Sequence, residues 1–267
     1  MPWPEGPRVS DERLHSTPLS ADKWIITRTE RPRARFRLIC VPNAGSGVLA
    51  FRLWTDIAPW LEVGLVQLPG RDGRRGDAFA PSIVDLAASL TKTLRTDARP
   101  IVLYGHSMGS LIAFEAARQL SRAGRAPAAL IVSGRRSPRS PDRFPHISHL
   151  PRKAFLDAVQ QRYGGIPADV FTDEELADFL VPPLQADMTI VEGYRYAPQG
   201  FLTCPMLICG GEADEQTNAE ELEGWTGETT GPSTIKIFPG GHFFIDSARR
   251  QMLDAIVSFL EPLAATV

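Results

Sequence analysis

The chain has little that would tie it to an oxidising compartment, a membrane or a polyanion. Its three cysteines, Cys40, Cys204 and Cys209, form no C-x-x-C pair. An odd count fits reduced, buried thiols better than a disulfide framework. The longest apolar runs, such as residues 128–132, fall far short of the roughly 20 residues that a membrane-spanning helix needs. Residues 1–20 contain no apolar leader segment, so they read as a loose polar N-terminal arm, and a cytoplasmic protein is expected. Lys+Arg 29 against Asp+Glu 31 leaves a net charge of -2. That balance excludes the global basic field which draws a protein to nucleic acid or anionic lipid. Histidine is scarce as well, with five in the chain, so a catalytic base has few candidates.

What remains is ordinary globular composition: 267 residues, 43% hydrophobic and 22% charged. Short β-branched and aliphatic runs alternate with helical patterns, as an α/β fold with a mostly parallel sheet requires. Strands are predicted at 24–27, 37–41, 64–68, 101–104, 128–133, 206–209 and 234–238. Helices are predicted at 47–60, 83–95, 108–122, 215–224 and 248–263, where apolar residues recur at spacings of three and four. From Ser137 to Pro198 the rhythm breaks, because about sixty residues separate two strands where a βα connection of roughly 2–6 suffices. Helices are expected there at 152–163, 172–179 and 184–194, stopped by Gly164-Gly165 and Pro182-Pro183. Residues 21–136 and 199–267 thus read as the core, with 137–198 as an inserted helical lid. The alternative is a structural layer with no role at the site.

The strand at 101–104 runs into Gly105-His106-Ser107-Met108-Gly109 and then into an amphipathic helix. A serine on so sharp a turn is pushed out above the sheet, and glycines two residues either side leave room for backbone and helix. Ser107 is therefore the candidate nucleophile. A hydroxyl needs a histidine to take its proton and a carboxylate to orient that histidine. His106 adjoins the serine and should pack locally, His15 lies in the arm, and His146 and His149 read as surface residues. His242, on the glycine-rich loop after the last strand, is the candidate base. The acid belongs on a loop after a later strand. Gly210-Gly211-Glu212-Ala213-Asp214-Glu215 offers Asp214, with Glu212 and Glu215 as rivals. Backbone N–H groups of Met108 and of Ala44, in the loop Pro42-Asn43-Ala44-Gly45, are the candidate oxyanion donors. No HGGG sequence of the lipase type is present.

Several of these segments together resemble the type II thioesterases, the stand-alone α/β-hydrolases of polyketide and nonribosomal peptide biosynthesis. The segments are Pro42-Asn43-Ala44-Gly45, Pro69-Gly70-Arg71, Gly105-His106-Ser107-Met108-Gly109, Leu184-Gln185-Ala186-Asp187, and Gly210-Gly211 ahead of Asp214. The resemblance implies the α/β-hydrolase fold and places the nucleophile on Ser107, the acid on Asp214, the base on His242 and the oxyanion donors on Ala44 and Met108. It also implies a monomer that needs no metal or cofactor. The implied activity is hydrolysis of acyl or aminoacyl groups from the phosphopantetheine arm of acyl or peptidyl carrier proteins, which clears stalled synthase modules. An esterase acting on free small-molecule esters is the second reading. Gln185 stands where an arginine is expected, which removes a salt bridge from the lid. An acidic carrier protein would favour a basic rim, for which Arg135, Arg136, Arg139 and Arg143 are candidates; a solvated loop is the alternative. Arg31, Arg33, Arg35 and Arg37 read as a solvated alternating face.

Overall fold

The computed structural model describes residues 23–265; the N-terminal arm expected at residues 1–20, with its His15, lies outside the described residues. β1 (Ile25–Thr27), β2 (Phe36–Val41), β3 (Leu61–Val66), β4 (Ile101–His106), β5 (Ala129–Ser133), β6 (Met206–Gly211) and β7 (Ser233–Phe238) form one sheet in the order β1-β3-β2-β4-β5-β6-β7. β1 pairs antiparallel with β3, and every other neighbouring pair is parallel. Parallel strands are covered on both faces, so their residues read as continuous apolar runs. Here alternate residues feed two separate layers. Ile101 and Leu103 of β4 pack with α1 (Ile83–Leu94) and α2 (Met108–Arg122). Val102 and Tyr104 face the layer completed by the chain's last helices. No helix among the described residues is long and apolar enough to cross a membrane.

All seven expected strands form, with shifted ends, and the third moves most. β3 starts at Leu61 rather than at 64, so it carries the buried Glu62 into the sheet. That charge is tolerated because Arg37 Nε lies 3.1 Å and Arg99 Nη1 2.7 Å from its carboxylate. Arg37 also pairs with Asp97 at 2.6 Å, and Arg31 with Asp56 at 2.7 Å. Arg37 is thus an internal clamp rather than part of a solvated face, while Arg31 pairs with an exposed carboxylate and Arg33 and Arg35 are exposed. β5, for its part, begins one residue later than expected.

The helix expected at 47–60 does not form. A single 3-10 turn spans Val48–Phe51. Its buried residues, with Trp54, follow a spacing of three, whereas Leu49 and Leu53 point to solvent. A period of three is that of the 3-10 turn. Phe51 and Trp54 lie 5.6 and 4.8 Å from Tyr104, ring centre to ring centre, which fixes the segment on β4.

Between β5 and β6 lie α3 (Arg152–Tyr163) and α4 (Glu174–Glu192). They share a hydrophobic cluster of their own that includes Phe155, Leu156, Val159, Val181 and Met188. The break expected at Pro182-Pro183 is absent, and α4 runs through both prolines. Each proline deprives the carbonyl four residues earlier of its donor. Those carbonyls belong to Asp178 and Phe179, both exposed, where water can take the donor's place. The helix is secured elsewhere, by the Asp173 N-cap and by Gln185, whose Nε2 donates to Ser148 O at 2.7 Å and Leu150 O at 3.1 Å. Those two bonds stand where a salt bridge was expected.

The remaining helices are short α5 (Ala219–Glu223), α6 (Phe244–Ser247) and α7 (Arg249–Ala264). α5 begins later than predicted because Asn218 and Glu221 close a capping box at its start. Residues 214–217 are thereby released into a turn that serves the site.

Candidate active site

The site begins with steric necessity at the turn after β4. A Cβ on Gly105 would lie 2.0 Å from Gly109 O, and one on Gly109 would lie 2.2 Å from Val41 O. Only glycine allows the strand and helix to meet so closely. Ser107 takes φ +53° and ψ −114°, a conformation that non-glycine residues adopt only when their surroundings impose it. Its N–H donates to Ser133 O at 2.8 Å, so β5 holds the strained turn.

The loops after β6 and β7 converge on this serine. His242 Nε2 lies 3.0 Å from Ser107 Oγ, and His242 Nδ1 lies 2.9 Å from Asp214 Oδ2. An ionised carboxylate can only accept, so the proton belongs on Nδ1 and Nε2 faces the hydroxyl as acceptor. Asp214 also accepts the Gln216 N–H at 3.0 Å and the Thr217 hydroxyl at 3.2 Å, which fixes its rotamer. Asp214 and His242 are buried, while Glu212 and Glu215 are exposed. Ser107, Asp214 and His242 are thus brought together as the sequence predicts, and the rival carboxylates are not.

His106 points elsewhere. Its Nδ1 lies 3.0 Å from Ser133 Oγ, and its ring centre is 5.2 Å from that of His242. The missing side chain of Gly134 makes the room, since a Cβ there would lie 2.5 Å from the ring. Complete burial, reinforced by the neighbouring His242, holds the His106 pKa well below the usual histidine value. His146 and His149 are exposed.

Met108, the first residue of α2, presents its N–H at a helix N-terminus, where no intrahelical carbonyl can accept it. Ala44 lies in a turn closed by Ser46 N–H donating to Asn43 O at 3.1 Å. Gly45 sits at φ +74° in that turn, the signature of type II. Ala44 and Ser107 line one cavity of about 440 Å³, whose far wall is formed by Val159, Leu180, Leu184 and Met188 of α3 and α4. The rings of Tyr163 and Phe243, 5.0 and 5.3 Å from His242, flank the base.

The expected basic rim is largely cancelled within the chain. Arg136 pairs with Asp142, Arg139 with Glu228 at 2.5 Å, and Arg143 with Glu221 at 2.8 Å. Sequence reasoning missed these carboxylates because they lie up to 89 residues away. It also missed the buried pair of Arg71 and Asp187, whose motifs were visible but whose contact was not. Arg71 Nη1 and Nη2 lie 2.5 and 2.7 Å from the two carboxylate oxygens of Asp187.

A serine hydroxyl, an imidazole held by a buried carboxylate and an adjoining cavity form an arrangement suited to acyl transfer. Comparison with known proteins agrees. The chain is 36% identical over 239 residues to the "Probable cadicidin biosynthesis thioesterase" of Streptomyces griseus, an alignment covering 89% of this chain and 64% of that relative's length. It is 34% identical over 251 residues to "Thioesterase PikA5" of Streptomyces venezuelae, covering 91% and 88% of the two chains. Among solved structures, the type II thioesterase BorB from the borrelidin biosynthetic cluster superposes with a TM-score of 0.80 at 34% identity, covering 90% of this chain and 98% of that one. The thioesterase domain profile matches residues 36–263, a span that contains every group of the site, and the chain belongs to the thioesterase domain family.

Proposed function

We propose that this protein hydrolyses acyl and aminoacyl thioesters held on the phosphopantetheine arm of carrier proteins, releasing stalled intermediates from polyketide or nonribosomal peptide synthases. The observation that carries the reading is the relay from Asp214 through His242 to Ser107, at 2.9 and 3.0 Å, opening onto the cavity. The relatives' names supply the biosynthetic setting.

The chemistry follows from the geometry. His242 Nε2 takes the Ser107 proton as Oγ attacks the thioester carbonyl, and Asp214 stabilises the imidazolium that forms. The oxyanion gathers at the N–H groups of Ala44 and Met108. Collapse expels the pantetheine thiolate, which receives the proton from His242 and leaves an acyl-Ser107. A thiol is far more acidic than an alcohol, near pKa ~8.5 for a cysteine-like group, so it departs readily. Water deprotonated by His242 then attacks the ester, a second oxyanion forms, and the carboxylic acid leaves as Ser107 recovers its proton. No step calls on a metal or a cofactor. Residues 137–198 serve as a lid whose α3 and α4 wall the acyl cavity.

The test compares one acyl group presented on a carrier protein, on coenzyme A and as an aryl ester. A higher kcat/KM for the carrier-bound thioester supports the proposal. Preference for the aryl ester with no gain from the carrier favours the small-molecule esterase.

A further inference from the structure

The Arg71–Asp187 pair joins three separate pieces of the site. Asp187 comes from α4, Arg71 from the segment after β3, and the same carboxylate reaches the loop after β2. Asp187 Oδ2 accepts the Gly45 N–H at 2.8 Å, and Arg71 Nη1 donates to Ser46 O at 3.2 Å. Asp187 and Arg71 are buried, at 3% and 8% exposure, while the turn they hold is half-buried.

The Gly45 N–H belongs to the central peptide of the type II turn spanning residues 43–46. Types I and II differ by a flip of that one peptide, and its orientation decides where this N–H and the Ala44 carbonyl point. A carboxylate fixed opposite the N–H selects one orientation, because the flipped peptide would aim a carbonyl oxygen at an anion. Ala44 supplies its own N–H from the adjoining peptide, one Cα away. The same turn is pressed from α4 by Leu184, whose Cδ1 would lie 2.8 Å from a Cβ on Gly45.

We infer that Asp187 is a positioning residue: held by Arg71, it locks the Ala44–Gly45 peptide so that Ala44 N–H stays aimed at the oxyanion, and it makes that donor's geometry depend on the seating of α4. This rests on Ala44 serving as an oxyanion donor, as in the proposed function. It adds a function for the P-G-R and L-Q-A-D segments, which the relay itself leaves unused.

A buried ion pair can also be merely structural, and replacing both partners with apolar residues is then often harmless. The test uses that fact. Asp187→Ala strands a buried arginine and should lower both Tm and kcat. Arg71→Met combined with Asp187→Leu removes both charges and should recover Tm. With Gly45 N–H still lacking its acceptor, kcat should remain ~10- to 100-fold down with little change in KM, somewhat less than the ~10²–10³ lost when a donor is removed outright. Affinity for an alkylboronic acid, whose serine adduct places an oxygen at the oxyanion position, should fall in parallel with kcat.

Asp187→Asn gives a second arm, because its amide oxygen still accepts from Gly45. It should lose stability like Asp187→Ala yet keep kcat within ~5-fold of the parent, since the donor stays in place. A double variant with parental kcat, or activity that simply tracks Tm across all three variants, would overturn the inference. All rates are read on a p-nitrophenyl ester as well as a carrier-bound thioester. Failure of the carrier substrate alone therefore rejects the proposed substrate and leaves this test readable.

Discussion

His242 and Ser107 stand 135 residues apart in sequence and 3.0 Å apart in space, Nε2 to Oγ. The contact joins the turn after β4 to the loop after β7, two strands that β5 and β6 separate in the sheet. Ser107→Ala and His242→Ala should each reduce kcat by ~10⁴-fold or more, and their double variant should lose little beyond that, because groups acting as a unit are not additive. Steady-state hydrolysis of an acyl thioester measures this. Independent, multiplicative losses would contradict the relay.

In the proposed mechanism Asp214 is the acid that orients His242, so Asp214→Asn should retain a residual rate while losing ~10²- to 10⁴-fold in kcat by presenting the wrong hydrogen-bonding group to Nδ1. Glu212→Gln, at an exposed position on the same loop, should stay near the parental rate. The reverse pattern would move the acid to Glu212.

His106 is fully buried and its pKa lies well below that of a free histidine. The unfolded chain, with a histidine near pKa ~6.5, binds a proton that the folded chain refuses. Stability is therefore complete above that pH and is lost as pH falls from it toward the folded-state pKa, by at most about 1.4 kcal/mol per pH unit. His106→Asn should flatten this acid-side decline in denaturant midpoints measured between pH 7 and 5, relative to the parent. An unchanged slope would show that His106 does not drive it.

Leu180 lines the cavity from α4. Leu180→Trp should cut kcat/KM for long acyl thioesters by ~10-fold or more, the scale of one or two misplaced methylenes in an apolar pocket. Hydrolysis of an acetyl thioester should change little. Equal losses across chain lengths would place the acyl group elsewhere.

Cys40 and Cys209 are buried, and burial pushes both thiols far above the usual cysteine value. Cys204 is pushed up to about 11. Native protein at pH 8 should therefore resist iodoacetamide at all three positions by mass spectrometry, with rapid labelling only after denaturation. Fast modification of the folded chain would show an opening that the fold does not display.

The nucleophile turn was readable because its requirements are local. A strand, two obligatory glycines and an amphipathic helix all fall within residues 101–122, and α2 spans Met108–Arg122 as predicted. His242 was readable because few histidines exist, whereas Asp214 was one of three carboxylates on its loop, and only burial separates it from Glu212 and Glu215. Glu62 was not readable as a strand residue, because its charge is offset by Arg37 and Arg99 from elsewhere in the chain. The segment at 48–54 misled because apolar spacing of three fits a 3-10 turn as well as a helix. The prolines of α4 misled because the carbonyls they orphan face water, a circumstance that no local pattern records. Arg71 and Asp187 lay in visible motifs, yet only their contact across 116 residues gives them a role.

The paired prolines of α4 leave its backbone bonding thinnest between residues 178 and 183, about midway along the helix. Beyond that joint Asp187 is bolted to Arg71 through two buried hydrogen bonds, whereas Leu180 lies within the joint and is held by packing against the cluster shared with α3. Amide exchange should accordingly be faster in the first half of α4 than in the second. A wall built this way can give at one end to admit a bulkier acyl group while the end that braces the reacting carbonyl holds still.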